Sequence, residues 1–461
     1  MPFNPFDNYP MSWKPRLSLN KESIYAELAE KLQSDIENGI LLPGTKLPPQ
    51  RELADFLDVN VSTVKKAFKI CSQNGLISSV IGSGTFISYG ALANTTLLSE
   101  ENPEFLIEMG ATVPERSANK DLLFLLRNMI NENDADRWFR YNRPGENEWQ
   151  KEAGVKLFYK LGLHIKKENV LFANGGQNAL NAILSGVFRP NDKIAVDPHV
   201  YAGIKTAAKA HCIKLIPIQH KNGEMSSDAL RNACANEELK GIYLIPTHQN
   251  PTTHNMTKDS RKEITKVIKE YGLILIEDGT YNLMTKDVPV ISDSVPEQSI
   301  FIASLSKVVA PGLRMAYLAV PQKLRNAISE SLYNLNVSIS PLMAELSSRI
   351  VVSGMLDYVL AKHIEETRKR NEIVNHILGV SYHCLGEDTC IFRWLKLSDK
   401  CSGAKFENMA RNAGVEVYAA ERFAVGQAEP EHAVRLAICA PETEQELEKG
   451  LIIIKDLLKD I

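Results

Sequence analysis

The pattern of apolar residues along the chain changes character near residue 90. Before that point, apolar residues recur every four positions over residues 23–38, which predicts one amphipathic helix. Two shorter helical patterns follow at residues 50–57 and 63–74. Two β-type runs, residues 77–80 and 85–88, then flank a glycine-rich turn. Three helices followed by a β-hairpin predict a winged helix-turn-helix domain over residues 21–88.

After a polar stretch at residues 89–103, which we interpret as a linker, short β-rich runs alternate with amphipathic helical patterns. This alternation predicts a mostly parallel sheet with helices on both faces. A long helical pattern at residues 355–378, followed by shorter strands and helices, predicts a smaller α+β subdomain over about residues 355–461. In such sheets ligands bind at the carboxyl ends of the strands.

Composition narrows the possible classes of protein. A chain of 461 residues with 44% hydrophobic and 24% charged residues is typical of a soluble, multidomain protein, and no apolar run is long enough to cross a membrane. Residues 1–20 are expected to be a flexible tail, because they lack the apolar core of a secretory signal. The seven cysteines form no C-x-x-C pair, which argues against a metal site or disulfides and favours a cytoplasmic location.

The net charge of −3 means that any DNA binding must come from a local basic patch. In a winged helix-turn-helix the third helix enters the major groove, and the second helix and the wing contact the backbone. The candidate DNA-binding residues are Arg51, Ser62, Thr63, Lys65, Lys66 and Gly82. The alternative for this domain is a small helical module that binds protein.

The sequence Leu-Pro-Pro-Gln-Arg-Glu-Leu-Ala at residues 47–54, with Ser-Thr-Val at 62–64 and Gly-Ser-Gly-Thr-Phe at 82–86, resembles the GntR family of bacterial regulators. One departure concerns DNA recognition. Where the family often has Ser-Arg, this chain has Asn60 and Val61, so one expected basic contact is missing. Asn60 and Lys65 are candidates to replace it.

Polar residues follow the predicted strands of the large domain. Asn-Gly-Gly-Gln at residues 174–177 opens a helix and could hold a phosphate, although such a pair of glycines is often only a turn. Tyr201 could stack on a flat ring or simply pack beneath a helix. Asn250 could bind a ring oxygen. Asp278, with Tyr281 three residues on, could bind a cationic ligand or belong to a structural ion pair.

The connection between the apolar runs at 299–303 and 315–320 contains Ser304, Ser306, Lys307 and Arg314. A lysine between buried strands costs free energy if it stays charged and unpaired. The functional interpretation is an amine, kept partly neutral to form a Schiff base, beside hydroxyls and an arginine that bind a phosphate. The alternative is a solvated lysine in a surface loop.

In this order, these groups resemble those of fold-type-I pyridoxal 5′-phosphate enzymes of the aminotransferase class, over residues 104–461. With its GntR-like head, the chain is identified as a member of the MocR subfamily. The expected fold class is α/β: a winged helix-turn-helix joined by a linker to an aminotransferase-like domain, which has a large, mostly parallel sheet and a small C-terminal α+β subdomain.

The resemblance implies the role of each residue. Lys307 would form the internal aldimine, Asp278 would pair with the pyridine nitrogen, and Tyr201 would stack on the ring. The remaining contacts would be Asn250 and Tyr281 to the phenolic oxygen, and Gly176, Gln177, Ser304, Ser306 and Arg314 to the phosphate.

Two further roles concern the effector and a second subunit. Arg435 would bind the carboxylate of a substrate or effector, with an ordinary surface-strand arginine as the alternative. Tyr141 would reach the phosphate site of the neighbouring subunit in a homodimer. Ala173 and Gly176 replace the usual Thr and Ser, so one hydroxyl contact to the phosphate is lost. Residues 388–394, which lead up to Trp394, lack the glycine-rich segment that the family usually has before this strand near the substrate. The identity of the effector therefore stays open.

Three functions are open at this point. The first is a transcriptional regulator that binds promoter DNA and senses pyridoxal phosphate, or an amino acid or amine captured on it. The second is a working aminotransferase with a regulatory or vestigial head. The third, a DNA-binding protein with an inert scaffold, is disfavoured because a scaffold needs neither Lys307 nor Asp278.

Overall fold

A computed structural model describes residues 11–17, 23–37, 40–80, 84–88, 91, 106–141, 148–285, 288–379, 382–426 and 430–461. The N-terminal domain has the predicted order of three helices and a hairpin. Its elements are α1 (Ile24–Glu37), α2 (Gln50–Phe56), α3 (Val61–Gln73), β1 (Ile77–Val80) and β2 (Gly84–Ile87). The strands pair antiparallel with Ile77 opposite Ile87. The winged helix-turn-helix prediction is therefore confirmed.

The start of α3 depends on a local cap. The Asn60 side chain accepts a hydrogen bond from the Ser62 backbone N–H at 3.0 Å, which satisfies one of the free donors at the helix N-terminus. The helix consequently begins two residues before the predicted residue 63. Val64, Ala67, Phe68 and Cys71 form its buried face, as the apolar pattern predicts.

Residues 11–17 correct the expectation of a flexible tail. Trp13 is only 4% exposed and packs in the core of the N-terminal domain. Its indole N–H donates to Asp35 Oδ2 at 2.8 Å, so the polar end of the buried ring has a partner. Burial of this large ring anchors the segment to α1. The rest of the predicted tail lies outside the described residues, as does the predicted linker apart from Ala91.

The large domain is built on a seven-stranded sheet. Its helices and strands are β3 (Ile107–Glu108), α4 (Asn119–Ile130), α5 (Glu148–Lys160), β4 (Val170–Ala173), α6 (Gly176–Val187), β5 (Lys193–Val196), α7 (Ala202–Ala210), β6 (Lys214–Pro217), β7 (His220–Lys221), β8 (Glu224–Met225), α8 (Ser227–Glu237), β9 (Leu239–Leu244), α9 (Lys258–Tyr271), β10 (Ile274–Asp278), β11 (Ser299–Ser304), β12 (Ala316–Ala319), α10 (Gln322–Asn336) and α11 (Pro341–Val352). The strand order is β4-β12-β11-β10-β9-β5-β6, and β12 runs antiparallel to both of its neighbours.

Alternate residues of the central strands enter two separate cores. Ile242 and Leu275 pack on one face with apolar residues of α8 and α9. Tyr243 and Ile276 belong to the larger core on the opposite face. Both faces are therefore covered, as expected of a mostly parallel sheet. This arrangement leaves the strand ends as the place where polar side chains can converge.

The C-terminal subdomain begins with the long helix predicted at residues 355–378. Its elements are α12 (Met355–Leu378), β13 (Cys384–Leu385), β14 (Arg393–Lys396), α13 (Gly403–Asn412), β15 (Val415–Glu416), β16 (Tyr418–Ala419), β17 (Ala433–Leu436) and α14 (Glu444–Lys459). Strands β13, β14, β17 and β16 form a four-stranded sheet. Within the described ranges, no helix has both the length and the apolar character needed to span a bilayer.

Candidate functional site

An anion-binding cradle lies where β4 passes into α6. Gly175 has a φ of +85°, a conformation that favours glycine, and a Cβ there would lie 2.7 Å from Arg314 Nη2. Arg314 Nη2 donates to the Asn174 carbonyl oxygen at 3.3 Å. The guanidinium is therefore held beside the N-terminus of a 12-residue helix, where backbone N–H groups favour an anion.

Two serines complete this region. Ser304, at the end of β11, accepts a hydrogen bond from the Ser306 backbone N–H at 3.4 Å and lies opposite Gly176. The Ser306 hydroxyl is buried and has no hydrogen-bond partner in the described part of the chain. The same holds for Gln177 Oε1, while Gln177 Nε2 donates to the Gly203 carbonyl oxygen at 2.9 Å. A buried hydroxyl without a partner is a position that a ligand oxygen would satisfy.

Lys307 is not a solvated loop residue. Its amine donates to the carbonyl oxygen of Thr112. Burial first, and then the positive charges of Arg435 and Arg314, lower the pKa of the amine to about 8. An appreciable fraction of the amine is therefore neutral near neutral pH, as a nucleophilic lysine requires.

Asp278 is a buried carboxylate without a cation. Tyr243 donates its hydroxyl to Asp278 Oδ2 at 3.0 Å, and the Thr280 backbone N–H donates to Oδ1 at 3.1 Å. No lysine, arginine or histidine forms an ion pair with it in the described ranges, so the alternative of a structural ion pair finds no support there. Burial raises the pKa of its carboxyl, which these hydrogen bonds only partly offset. A cationic ligand would supply the missing partner.

The carboxylate of the adjacent residue, Glu277, has a different environment from that of Asp278. Glu277 points to the other side of β10, where it accepts hydrogen bonds from the backbone N–H groups of Ile291 and Ser292 at 3.1 and 2.7 Å and from the Ser292 hydroxyl. It is a structural residue that ties a loop to the sheet. Two adjacent acidic residues thus differ in role because successive strand residues face opposite ways.

The predicted ring-binding residues lie within electrostatic reach of the Asp278 carboxylate. Tyr201 stands at the N-terminus of α7, and burial, followed by the charge of Asp278, raises the pKa of its hydroxyl to about 12, while Arg314 and Arg435 act in the opposite direction. Asn250 Nδ2 lies 3.4 Å from the Tyr281 hydroxyl. The ends of β5, β9 and β10 therefore bring these polar residues to one place.

Arg435 is not a surface arginine. It is 4% exposed, donates from Nη1 to Asn250 Oδ1 and from Nη2 to the Gly110 carbonyl oxygen, both at 2.6 Å, and lies 4.7 Å from the ring centroid of Phe423. Burial lowers the pKa of its guanidinium. No carboxylate pairs with it in the part of the chain that the structure describes. It is therefore a cation placed to receive one.

Sequence reasoning missed the segment after β3. The carbonyl oxygens of Gly110 and Thr112 accept from Arg435 and Lys307, two of the basic side chains of the site. A Cβ at Gly110 would lie 2.5 Å from the Tyr418 ring, so the glycine permits this close approach. Its only signal in the sequence is a glycine after a short apolar run.

The other predicted residues lie away from this centre. Tyr141 is 79% exposed, and its proposed contact with a second subunit stays a prediction. In the N-terminal domain Arg51, Ser62 and Lys65 are exposed and Thr63 is half-buried. Lys66 is exposed as well, but its Nζ lies 5.2 Å from the ring centroid of Tyr25. Gly82 lies outside the described residues.

Together the side chains fit pyridoxal 5′-phosphate. The unpaired carboxylate of Asp278 matches a pyridinium, and the anion cradle with the unsatisfied Ser306 hydroxyl matches a phosphate. The buried Lys307 amine matches an aldehyde. These requirements come from the structure of the chain itself.

Comparison with known families agrees with the domain arrangement. Residues 104–454 match the family described as aminotransferase class I and II, and residues 24–87 match that of bacterial regulatory proteins of the gntR family. The second match favours DNA binding over a protein-binding module. The chain is 51% identical over 462 residues to an uncharacterized HTH-type transcriptional regulator, YdeF, of Bacillus subtilis (strain 168), with 100% of both chains covered.

Solved structures share the fold of the large domain. A multiple substrate aminotransferase from Thermococcus profundus superposes with a TM-score of 0.71 at 20% identity, covering 78% of this chain and 92% of that one. The α-aminoadipate aminotransferase LysN of Thermus thermophilus, complexed with N-(5′-phosphopyridoxyl)-L-leucine, superposes with a TM-score of 0.68 at 18% identity, covering 77% and 93%.

Proposed function

Since the chain belongs to the aminotransferase class I and II family and joins that domain to a gntR-family head, the arrangement of the MocR regulators, we propose that it is a transcriptional regulator that senses pyridoxal phosphate. The cofactor, or an amino compound captured on it, binds in the large domain and changes how the head binds promoter DNA. The dimeric state and a cytoplasmic location belong to the same proposal.

One observation carries the cofactor assignment. A buried amine, Lys307, and a buried carboxylate without a cation, Asp278, lie at neighbouring strand ends beside an anion cradle. Keeping such groups buried and unpaired costs stability, so a ligand that satisfies all three is expected. When bound, pyridoxal phosphate supplies an aldehyde for the amine and an electron-withdrawing ring.

The residues of the chain divide the work of binding. Arg314, Ser304, Ser306 and the N-terminus of α6 would hold the phosphate. Asp278, kept in place by Tyr243 and Thr280, would hold a proton on the ring nitrogen. Arg435 would exchange its contact with Asn250 for the carboxylate of an effector, which favours an amino acid over a simple amine.

A short path connects this site to the head. Helix α7 begins directly after Tyr201, the ring-stacking residue, and spans nine residues, or about 13 Å. Near its other end, Lys209 Nζ donates to the carbonyl oxygen of Asn74, the C-cap of α3, at 2.6 Å. A shift of α7 on ligand binding would therefore act on the helix that is expected to enter the major groove.

A second candidate is a working aminotransferase. It is favoured by the presence of all the catalytic groups, including Lys307 and Asp278. Steady turnover of an amino acid and a keto acid would support it, whereas binding without turnover supports a sensor. The cofactor assignment itself is tested by visible absorption. Protein supplied with pyridoxal phosphate is expected to show a bound-cofactor band that Lys307→Ala abolishes, and a wild-type protein without the band would contradict both candidates.

A further inference from the structure

A cavity of about 630 Å³ lies between the head and the large domain, away from the residues of the cofactor site. The head contributes Phe86, Ile87 and Ser88 from the end of the wing. The large domain contributes Lys205 and Lys209 of α7 and apolar side chains such as Leu215, and the C-terminal subdomain adds Val425. This volume lies within the range of about 300–1,000 Å³ that is typical of small-molecule sites.

The side chains that line this cavity are basic or mainly apolar. Among the residues that the structure describes, the ionisable side chains of the lining are those of Lys205 and Lys209, and none of the lining residues is acidic. The rest of the wall is mainly apolar. Such a surface complements a molecule with an apolar body and a negative charge.

Lys205 lacks a counter-ion in the described ranges. Its Nζ donates to the Arg422 carbonyl oxygen at 2.9 Å, and no carboxylate of the described residues lies within ion-pair distance of it. Burial lowers the pKa of this amine to about 7. An amine desolvated in this way is stabilised by any anion that enters beside it.

We propose that this interdomain cavity is a second ligand site, which takes an amphipathic organic anion: a carboxylate or sulfonate with an apolar body. The anionic group lies against Lys205, and the apolar body lies between Phe86 of the wing and Leu215 of the large domain. Lys209 faces the same space but is already committed to the Asn74 carbonyl oxygen.

Because both domains form the walls, occupancy depends on how the head is docked. A ligand that contacts the wing and α7 together binds only the arrangement in which the two meet, and it therefore stabilises that arrangement. The site would give the protein a second input besides the cofactor site. The proposal does not depend on pyridoxal phosphate binding or on DNA binding.

The test uses two fluorescent probes on the full-length protein supplied with pyridoxal phosphate. One is 8-anilinonaphthalene-1-sulfonate, an apolar anion, and the other is N-phenyl-1-naphthylamine, its uncharged analogue. We expect one saturable site for the anion. Lys205→Met should lower the affinity for the anionic probe by at least about tenfold and change the affinity for the neutral probe by less than about twofold. The control Lys214→Met, an exposed lysine of β6 outside the cavity, should change neither.

Ser88→Trp provides a second variant, because the added ring would fill the cavity from the head side. It should reduce the affinity of both probes. The proposal is overturned if Lys205→Met lowers the affinity for both probes equally, or leaves both affinities unchanged. It is also overturned if Ser88→Trp leaves the affinity of both unchanged, since the probes would then bind elsewhere on the surface.

Discussion

Lys209 Nζ lies 2.6 Å from the carbonyl oxygen of Asn74, so the helix that begins directly after Tyr201 contacts the C-cap of α3 near its other end. The two residues are 135 positions apart in the chain. This contact connects the helix that follows the proposed cofactor site to the DNA-binding head. Allosteric control requires such a contact to differ between the two ligand states.

The first prediction concerns this contact. Lys209→Met should leave cofactor affinity unchanged, because the amine lies outside the cofactor site. It should reduce the effect of pyridoxal phosphate on DNA affinity by about fivefold, the lower end of typical coupling energies. Fluorescence anisotropy of labelled promoter DNA, with and without cofactor, measures this effect. Lys214→Met is the matched control, and an unchanged cofactor effect in Lys209→Met would exclude the α7 path.

The second prediction separates two adjacent carboxylates. Asp278→Asn should weaken the binding of pyridoxal phosphate by about 10- to 100-fold, because the ring nitrogen loses its counter-charge. It should not lower the melting temperature of the cofactor-free protein, since Asp278 has no cationic partner in the described part of the chain. Glu277→Gln should lower the melting temperature of the cofactor-free protein and leave cofactor affinity unchanged, because Glu277 holds the backbone of Ile291 and Ser292.

Thermal unfolding and cofactor titration by absorbance measure both effects. If Asp278→Asn destabilised the cofactor-free protein and left cofactor affinity intact, Asp278 would be structural.

The third prediction concerns pH. Only the neutral Lys307 amine attacks an aldehyde, and its pKa lies at about 8. The rate of cofactor capture should therefore rise as the pH approaches 8 and level off above it. In Arg435→Met the midpoint should move to higher pH, because one of the cations that disfavour the charged amine is gone. Stopped-flow absorbance gives the midpoint, and Arg189→Met, an exposed cation elsewhere, serves as the control.

A midpoint in Arg435→Met at or below the wild-type value would show that Arg435 does not act on the amine.

The fourth prediction concerns DNA. Lys65→Ala should weaken promoter binding and reduce the slope of log affinity against log salt by about 1, because one phosphate contact is lost. Lys66→Ala should have a smaller effect, because its amine already lies over the Tyr25 ring. Filter binding over a range of salt concentrations checks both. Equal slopes in Lys65→Ala and wild type would exclude Lys65 as a phosphate contact.

Much of this arrangement could be predicted from the sequence. Helix α12 begins and ends at the predicted residues 355 and 378, where glycines, Gly354 and Gly379, cap its two ends. Side chains at strand ends could be placed in one site because parallel strands present their carboxyl ends on one edge of the sheet.

The contacts that could not be predicted have a common physical origin. Thr112 and Gly110 act through backbone carbonyl oxygens, which every residue carries, so no residue type marks them. Trp13 and the Lys209–Asn74 pair depend on how distant segments pack, and no local period encodes such packing.

The central claim is that cofactor occupancy changes the affinity of the head for DNA. Its most direct test is an anisotropy titration of promoter DNA with the cofactor-free and the cofactor-loaded protein, each with and without a panel of amino acids. We expect DNA affinity to differ at least about fivefold between states in the wild type, and not to respond to cofactor in Lys307→Ala. Identical DNA affinity under all these conditions, in protein shown by absorbance to hold the cofactor, would contradict the claim.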